Sequence, residues 1–234
     1  MVALDMDEGD EALHLAGEIG QAVAALKVGS QLFTRYGPDL VRRITGSGAS
    51  VFLDLKYHDI PNTVSKAVRG AAEMGVSWIT VHASGGGDMI RAAKGAAGDA
   101  RILAVTVLTS LDRKAMARIG FEGEIRDHVI HLAAMARDAG ADGIVCSPHE
   151  VGDLRHILDG ECILVTPGIR PAGASVDDQA RVATPASAVA DGADYLVVGR
   201  PIVKASDRRE AVRMILDQMR QGDALRGERS LNLN

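Results

Sequence analysis

Short apolar runs alternate with longer amphipathic stretches along the chain. The apolar runs fall at residues 2–4, 25–29, 51–55, 78–82, 102–108, 143–146, 162–166 and 195–199, each about the length of a buried strand. Between them apolar residues recur at helical spacing over 11–24, 32–44, 63–74, 89–97, 125–139, 150–158 and 185–190. A last helix is predicted over 208–220, with Ser206 and Asp207 as its cap. Apolar strands that alternate with helices predict a parallel sheet with helices outside it. Eight such units in 234 residues predict an α/β fold, the closed (β/α)8 or TIM barrel, as a single domain over 1–222. Residues 223–234 are polar and are expected to fray. A doubly wound open sheet is the alternative. The turn after the first strand, Asp5-Met-Asp-Glu-Gly-Asp10, lacks the Gly-x-Gly-x-x-Gly pattern expected of that fold.

Aromatic residues make up only 3% of the chain, so the core must be built from Ala, Val, Ile and Leu. A net charge of −5 without a basic run argues against nucleic acid or an anionic membrane as partner. No apolar segment approaches the length of a membrane span, and Met1 to Asp5 carry no basic-then-apolar leader. Cys146 and Cys162 both sit in apolar surroundings, which favours two buried thiols over a disulfide or a metal pair. The expected compartment is the cytoplasm.

The stretch Val51-Phe-Leu-Asp54-Leu-Lys56-Tyr-His-Asp59-Ile-Pro-Asn-Thr63 departs from this pattern. It begins as a buried strand and then places charges where an apolar strand should have none. With a side-chain period of two, Asp54 and Lys56 point to one face and Leu53 and Leu55 to the other. Such charges are costly unless they neutralise one another or meet a charged ligand. A structural ion network closing the strand end is one reading, and a catalytic array is the other.

In a (β/α)8 barrel the ligand face is the C-terminal end of the strands, and polar residues collect there. Asp5 ends the first strand, Lys27 lies near the end of the second, and Asp54 and Lys56 end the third. His82 closes the fourth and Thr109-Ser110 the fifth, while Pro167-Gly-Ile-Arg170 follows the seventh and Gly199-Arg200-Pro201 the eighth. The last two strand ends are the usual phosphate position of such barrels. There Gly199 lets backbone approach an anion, Arg200 supplies a fork of donors, and Pro201 can start a short helix. The segment from Arg170 to Arg181, which includes Gln179, is polar and contains glycine; it suits a closing lid or a plain surface loop. Ser84-Gly-Gly-Gly87 lacks the lysine of a P-loop and fits tight packing better than anion binding. His128 and His131 stand one helical turn apart without a third ligand at metal spacing, so no metal site is expected.

With these residues assembled, the chain resembles the orotidine 5′-phosphate decarboxylase family, of the short bacterial type. The resemblance runs from Val2 to the last helix. It is carried by Val-Ala-Leu-Asp5, Leu-Lys27-Val-Gly, Asp54-Leu-Lys56-Tyr-His-Asp59-Ile-Pro-Asn-Thr63, Val-His82-Ala-Ser-Gly-Gly, Leu-Thr109-Ser, Thr-Pro167-Gly-Ile-Arg170, Asp-Gln179 and Val-Gly199-Arg200-Pro. Related barrels acting on sugar phosphates, 3-keto-gulonate 6-phosphate decarboxylase and hexulose-phosphate synthase, share Asp-x-Lys-x-x-Asp but need Mg²⁺. They hold it partly by a Glu at the end of strand two, where this chain has Lys27; a cation there would repel the metal.

The resemblance implies loss of CO₂ from orotidine 5′-phosphate to give UMP, without metal or cofactor. It implies catalytic roles for Lys56, Asp54, Asp59 and Lys27. Ribose contacts fall to Asp5 and Lys27, the pyrimidine edge to Thr109, and the phosphate to Gln179, Gly199 and Arg200 with Arg170 assisting; Pro167 also lines the site. By the same pattern the enzyme is a homodimer, with Asp59 and Thr63 reaching the other subunit's site. A catalytically silent barrel that binds phosphorylated ligands is the other class considered, although a binder gains nothing from a buried lysine between acids.

Overall fold

Eight strands pair side by side, all parallel and in sequence order. They are β1 (Val2–Ala3), β2 (Leu26–Gly29), β3 (Val51–Tyr57), β4 (Trp78–His82), β5 (Arg101–Val105), β6 (Gly143–Val145), β7 (Ile163–Thr166) and β8 (Tyr195–Leu196). The last strand returns to the first. Val2 and Val198 form a parallel bridge, with Ala3 N–H donating to Val198 O at 2.9 Å and Val198 N–H to Met1 O at 3.1 Å. That bridge closes the expected (β/α)8 barrel. The computed structural model describes residues 1–158, 160, 162–171 and 183–231.

The helices are α1 (Gly9–Ile19), α2 (Ser30–Gly46), α3 (Pro61–Ala72), α4 (Gly87–Ala96), α5 (Arg113–Arg118), α6 (Ile125–Asp138), α7 (Val151–Ile157), α8 (Pro185–Ala190), α9 (Arg200–Val203) and α10 (Arg208–Leu231). Most coincide with the predicted stretches to within a few residues, and three differences are informative. The stretch predicted over 11–24 ends at Ile19, and a short 3-10 turn follows. The short α5 was not predicted. Its six residues cannot display a helical period, and it depends on a local cap in which Asp112 Oδ1 accepts from Ala115 N–H at 2.8 Å. The last helix was expected to stop at Arg220 and instead runs to Leu231. No proline interrupts it, and Gly222 lets it lie against Ala186 and Val189 of α8. Its start is as predicted: Asp207 Oδ1 accepts from Glu210 N–H at 2.9 Å.

Two apolar cores follow from the strand alternation. The outer one packs Val51, Leu53, Ile79, Ile102 and Ile144 against helix residues such as Leu15, Ile44, Val68, Ile90 and Leu154. The inner one fills the barrel with Ala3, Ala25, Phe52, Trp78, Leu103, Val165 and Val197. The small Ala3 on β1 and Ala25 just before β2 make room for Phe52 and Trp78 on β3 and β4. Cys146 and Cys162 are both buried, and neither forms a disulfide. Among the described residues no helix is long and apolar enough to cross a membrane.

Candidate active site

Two residues beyond the inner core, on the same inward face, five of the strand ends change character. Ala3 is followed by Asp5, Ala25 by Lys27, Phe52 by Asp54 and then Lys56, Val165 by Pro167, and Val197 by Gly199. All of these polar or turn-forming positions line one cavity of about 330 Å³ at the C-terminal end of the barrel. Thr109, Arg170 and Arg200 line it as well. The cavity is within the size range of small-ligand sites.

Four charges of alternating sign run along its wall. Lys27 Nζ lies 3.3 Å from Asp5 Oδ1 and 3.5 Å from Asp54 Oδ2, and Lys56 Nζ donates to Asp54 Oδ1 at 2.9 Å. Asp54 and Lys27 are nearly enclosed, with side chains 12% and 13% exposed, while Lys56 at 33% faces the cavity. Burial pushes the Asp54 carboxyl up, but Lys27, then Lys56, with hydrogen bonds from Lys56 and Thr80, outweigh it and hold the group below the usual carboxylate range. Asp54 is therefore ionised at neutral pH. His82, whose ring stands 5.6 Å from that of His58, is held below the ordinary imidazole range by burial, then by His58 and Lys56.

Lys56 has φ 51, a left-handed conformation that costs a long side chain roughly 1–2 kcal/mol. It falls where β3 loses register with β4: Leu53 pairs with Ile79, and Tyr57 pairs with Val81. The period-two reading of Asp54 and Lys56 is right about the face, and this bulge adds a distortion that periodicity does not contain.

At the seventh and eighth strand ends, Gly199 sits against β1. A Cβ there would stand 3.3 Å from Asp5 Oδ2 and 3.5 Å from Ala3 Cβ, so the glycine keeps the two strand ends close. Pro201 lies in the first turn of α9, as expected. Ile169 and Ala183 form a parallel bridge, and Arg170 N–H donates to Ala183 O at 3.0 Å, which draws together the ends of the expected lid. Gln179 and the rest of that segment, 172–182, lie outside the described residues.

Some expectations are placed differently. Thr109 does not close β5, which ends at Val105; it stands in the following loop and still reaches the cavity. Asp59 and Thr63 are exposed and do not line their own chain's cavity, and Asp59 Oδ1 accepts from Ile60 N–H at 2.6 Å. Ser84-Gly-Gly-Gly87 packs as expected, since a Cβ on Gly85 would collide with Met89. His128 is engaged locally, with Nε2 2.9 Å from Glu122 O and its ring against Phe121. Among the described residues no group of three or more His, Cys, Asp or Glu could hold a metal ion.

The sequence reading missed the apolar wall of the cavity, made by Phe52, Val105, Val107, Val145 and Cys146. Burial, then Glu150, holds the Cys146 thiol well above the ordinary range, so it presents a neutral surface there. It also missed Thr80, fully buried on β4, whose hydroxyl donates to Asp54 Oδ1 at 3.0 Å and accepts from Lys56 N–H at 2.9 Å. The signal was available: Thr80 lies between Trp78 and His82 on the inward face, one strand from Asp54.

Comparison with known proteins agrees with this geometry. The model of the family described as "Orotidine 5'-phosphate decarboxylase / HUMPS family" matches residues 1–215. A curated orotidine 5′-phosphate decarboxylase of Nitrosococcus oceani is 49% identical over 219 residues, covering 92% of this chain and 94% of the relative. One of Thermobifida fusca is 47% identical over 224 residues, covering 95% and 96%. The crystal structure of orotidine 5′-phosphate decarboxylase from Lactobacillus acidophilus superposes with a TM-score of 0.83 at 38% identity, over 93% of this chain and 97% of that one. With barrel, strand-end charges and near-full-length similarity in agreement, the chain belongs to the orotidine 5′-phosphate decarboxylase / HUMPS family.

Proposed function

We propose that this chain decarboxylates orotidine 5′-phosphate to UMP, without metal or cofactor, and that Lys56 carries the chemistry. The observation that bears most weight is the run Asp5–Lys27–Asp54–Lys56 along the cavity wall, ending in an ammonium that faces the cavity.

The reaction breaks the bond between C6 and the carboxylate carbon and leaves its electron pair at C6, in the plane of the pyrimidine ring. The π system cannot delocalise that pair. Stabilisation must come from a positive charge fixed beside C6, in a site where water does not screen it. Lys56 is that charge. As CO₂ leaves, an N–H proton passes from Nζ to C6 to give UMP, and solvent then reprotonates the amine. Asp54 accepts from the ammonium at 2.9 Å and lies toward the substrate carboxylate, so the repulsion between the two carboxylates is relieved on CO₂ release. The apolar residues lining the same cavity supply the dry surroundings that make the charge effective.

Gln179, Gly199 and Arg200 hold the phosphate, with Arg170 assisting; Asp5 and Lys27 hold the ribose hydroxyls and Thr109 the pyrimidine edge. Energy from phosphate binding fixes the charges around C6. The enzyme acts in the cytoplasm as a homodimer, with Asp59 and Thr63 of each subunit completing the partner's site. Their exposure beside Ile60, itself 67% exposed, supports that arrangement.

The family also contains sugar-phosphate enzymes, and Lys27 separates the two readings. Its ammonium lies between the carboxylates of Asp5 and Asp54, where it competes with any cation. The deciding experiment is incubation with orotidine 5′-phosphate, followed by absorbance with and without EDTA. UMP formation indifferent to EDTA is expected. Mg²⁺-dependent turnover of a keto-sugar phosphate, or tight binding without product, would overturn the assignment.

A further inference from the structure

The pairing of β3 with β4 is irregular at one place. Four residue steps on β3, from Leu53 to Tyr57, span two on β4, from Ile79 to Val81. Lys56 lies inside that bulge, and it is the one non-glycine residue with positive φ among the described residues. A bulge of this kind takes a peptide N–H out of the strand ladder, and a buried N–H needs another acceptor. Here the acceptor is a side chain. Thr80 Oγ1 accepts from Lys56 N–H at 2.9 Å and donates to Asp54 Oδ1 at 3.0 Å. Asp54 Oδ1 also receives Lys56 Nζ at 2.9 Å, so the two nitrogens of Lys56 are tied through one hydroxyl and one carboxylate oxygen. A hydroxyl has a single proton. Committing it to Asp54 leaves the oxygen lone pairs for Lys56 N–H, so each bond orients the other.

We propose that Thr80 is a positioning residue of the active site: its hydroxyl holds the backbone turn that aims the Lys56 ammonium and at the same time sets the Asp54 carboxylate. This role rests on the proposed action of Lys56 and Asp54 on the substrate. Thr80 is completely buried and does not line the cavity, so it acts through those two residues and not on the ligand. The hydroxyl uses both its proton and a lone pair, and both partners belong to the charged run.

The test uses the full-length protein with orotidine 5′-phosphate and the variants Thr80→Val, Thr80→Ser and Lys56→Ala. Thr80→Val keeps the shape and removes the hydroxyl. Misplacing a reacting group by about 1 Å costs roughly 10²-fold, so kcat should fall about that much while KM changes less than about threefold. The acid limb of the kcat–pH profile should move to higher pH, because a bond favouring ionised Asp54 is gone. The other charges facing Asp54, Lys27 on β2, Lys56 on β3 and His82 on β4, with Asp5 beyond Lys27, are unchanged in the variant. Thr80→Ser should restore both rate and profile. Should valine prevent folding, judged by circular dichroism, Thr80→Ala and Thr80→Cys carry the same expectation.

Wild-type kcat and acid limb in Thr80→Val, with Lys56→Ala inactive, would overturn the inference alone. So would a serine variant as slow as valine with an unshifted profile, since that marks a packing role. Turnover by Lys56→Ala would instead remove the mechanism on which the inference stands, and the inference with it.

Discussion

The Lys56 ammonium meets Asp54 Oδ1 at 2.9 Å although only one residue separates them in sequence. Inward-facing neighbours on a regular strand lie about 6–7 Å apart along the chain. Contact between their ends needs a long side chain folding back, and the left-handed turn at Lys56, φ 51, turns the chain where this happens. Strain of this kind persists where surrounding bonds over-determine it, and here Asp54 and Thr80 provide them.

Lys56→Ala removes both the charge and the proton donor. One electrostatic stabiliser contributes roughly 10²–10³ and one general acid roughly 10²–10⁴, so kcat should fall at least about 10⁴-fold. Steady-state assays decide this, with UMP binding measured calorimetrically to confirm that the cavity is intact.

Arg200→Ala tests the phosphate assignment. A charge-assisted hydrogen bond is worth about 1.5–3 kcal/mol, so kcat/KM should fall roughly 10- to 150-fold. The loss should vanish when orotidine replaces its 5′-phosphate, since nothing then remains for Arg200 to hold. An equal loss for both substrates would place Arg200 elsewhere in the mechanism.

The depressed pKa of Asp54 makes stability depend on pH in a defined direction. Its native value lies below its unfolded one, so the unfolded chain binds the proton first as pH falls. The contribution is complete above the unfolded value and is lost as pH falls through the native value. Urea unfolding between about pH 7 and pH 3 should therefore show a shallower acid loss for Asp54→Asn than for the parent. Parallel curves would mean that the carboxylate is not held low by Lys27 and Lys56.

A shared active site predicts complementation. Lys56→Ala and Asp59→Ala should each be inactive alone and partly active after mixing under conditions of subunit exchange. One of the two sites in a mixed dimer is then intact. No recovery, with exchange demonstrated by mass spectrometry, would assign Asp59 to its own chain or to no role.

Gly222 tests the extended last helix. A Cβ there would collide with Ala186 O and lie 2.8 Å from Val189 Cβ. Overpacking costs about 1–3 kcal/mol and outweighs the ~1 kcal/mol that alanine gains in a helix. Gly222→Ala should lower the unfolding free energy by about 1 kcal/mol with kcat unchanged, as read by denaturant titration and assay. Unchanged stability would mean that the two helices do not meet at that residue.

Local pattern determined most of this protein. Apolar runs fixed eight strands, because a strand buried on both faces has little choice but Val, Ile, Leu and Ala. Period-two alternation then carried Asp5, Lys27, Asp54 and Lys56 to the inward face of their strand ends, and all four do line the cavity. The tertiary structure decided what depends on neighbours distant in sequence. Thr80 gains its role only because β4 lies beside the bulge in β3. The apolar wall comes from several different strands and loops, and none of its residues is unusual where it stands in the chain. The Val2–Val198 bridge closes the ring between residues almost the whole chain apart in sequence. Sequence periodicity specifies which way a side chain points, whereas what it meets there is set by the packing of elements distant in the chain.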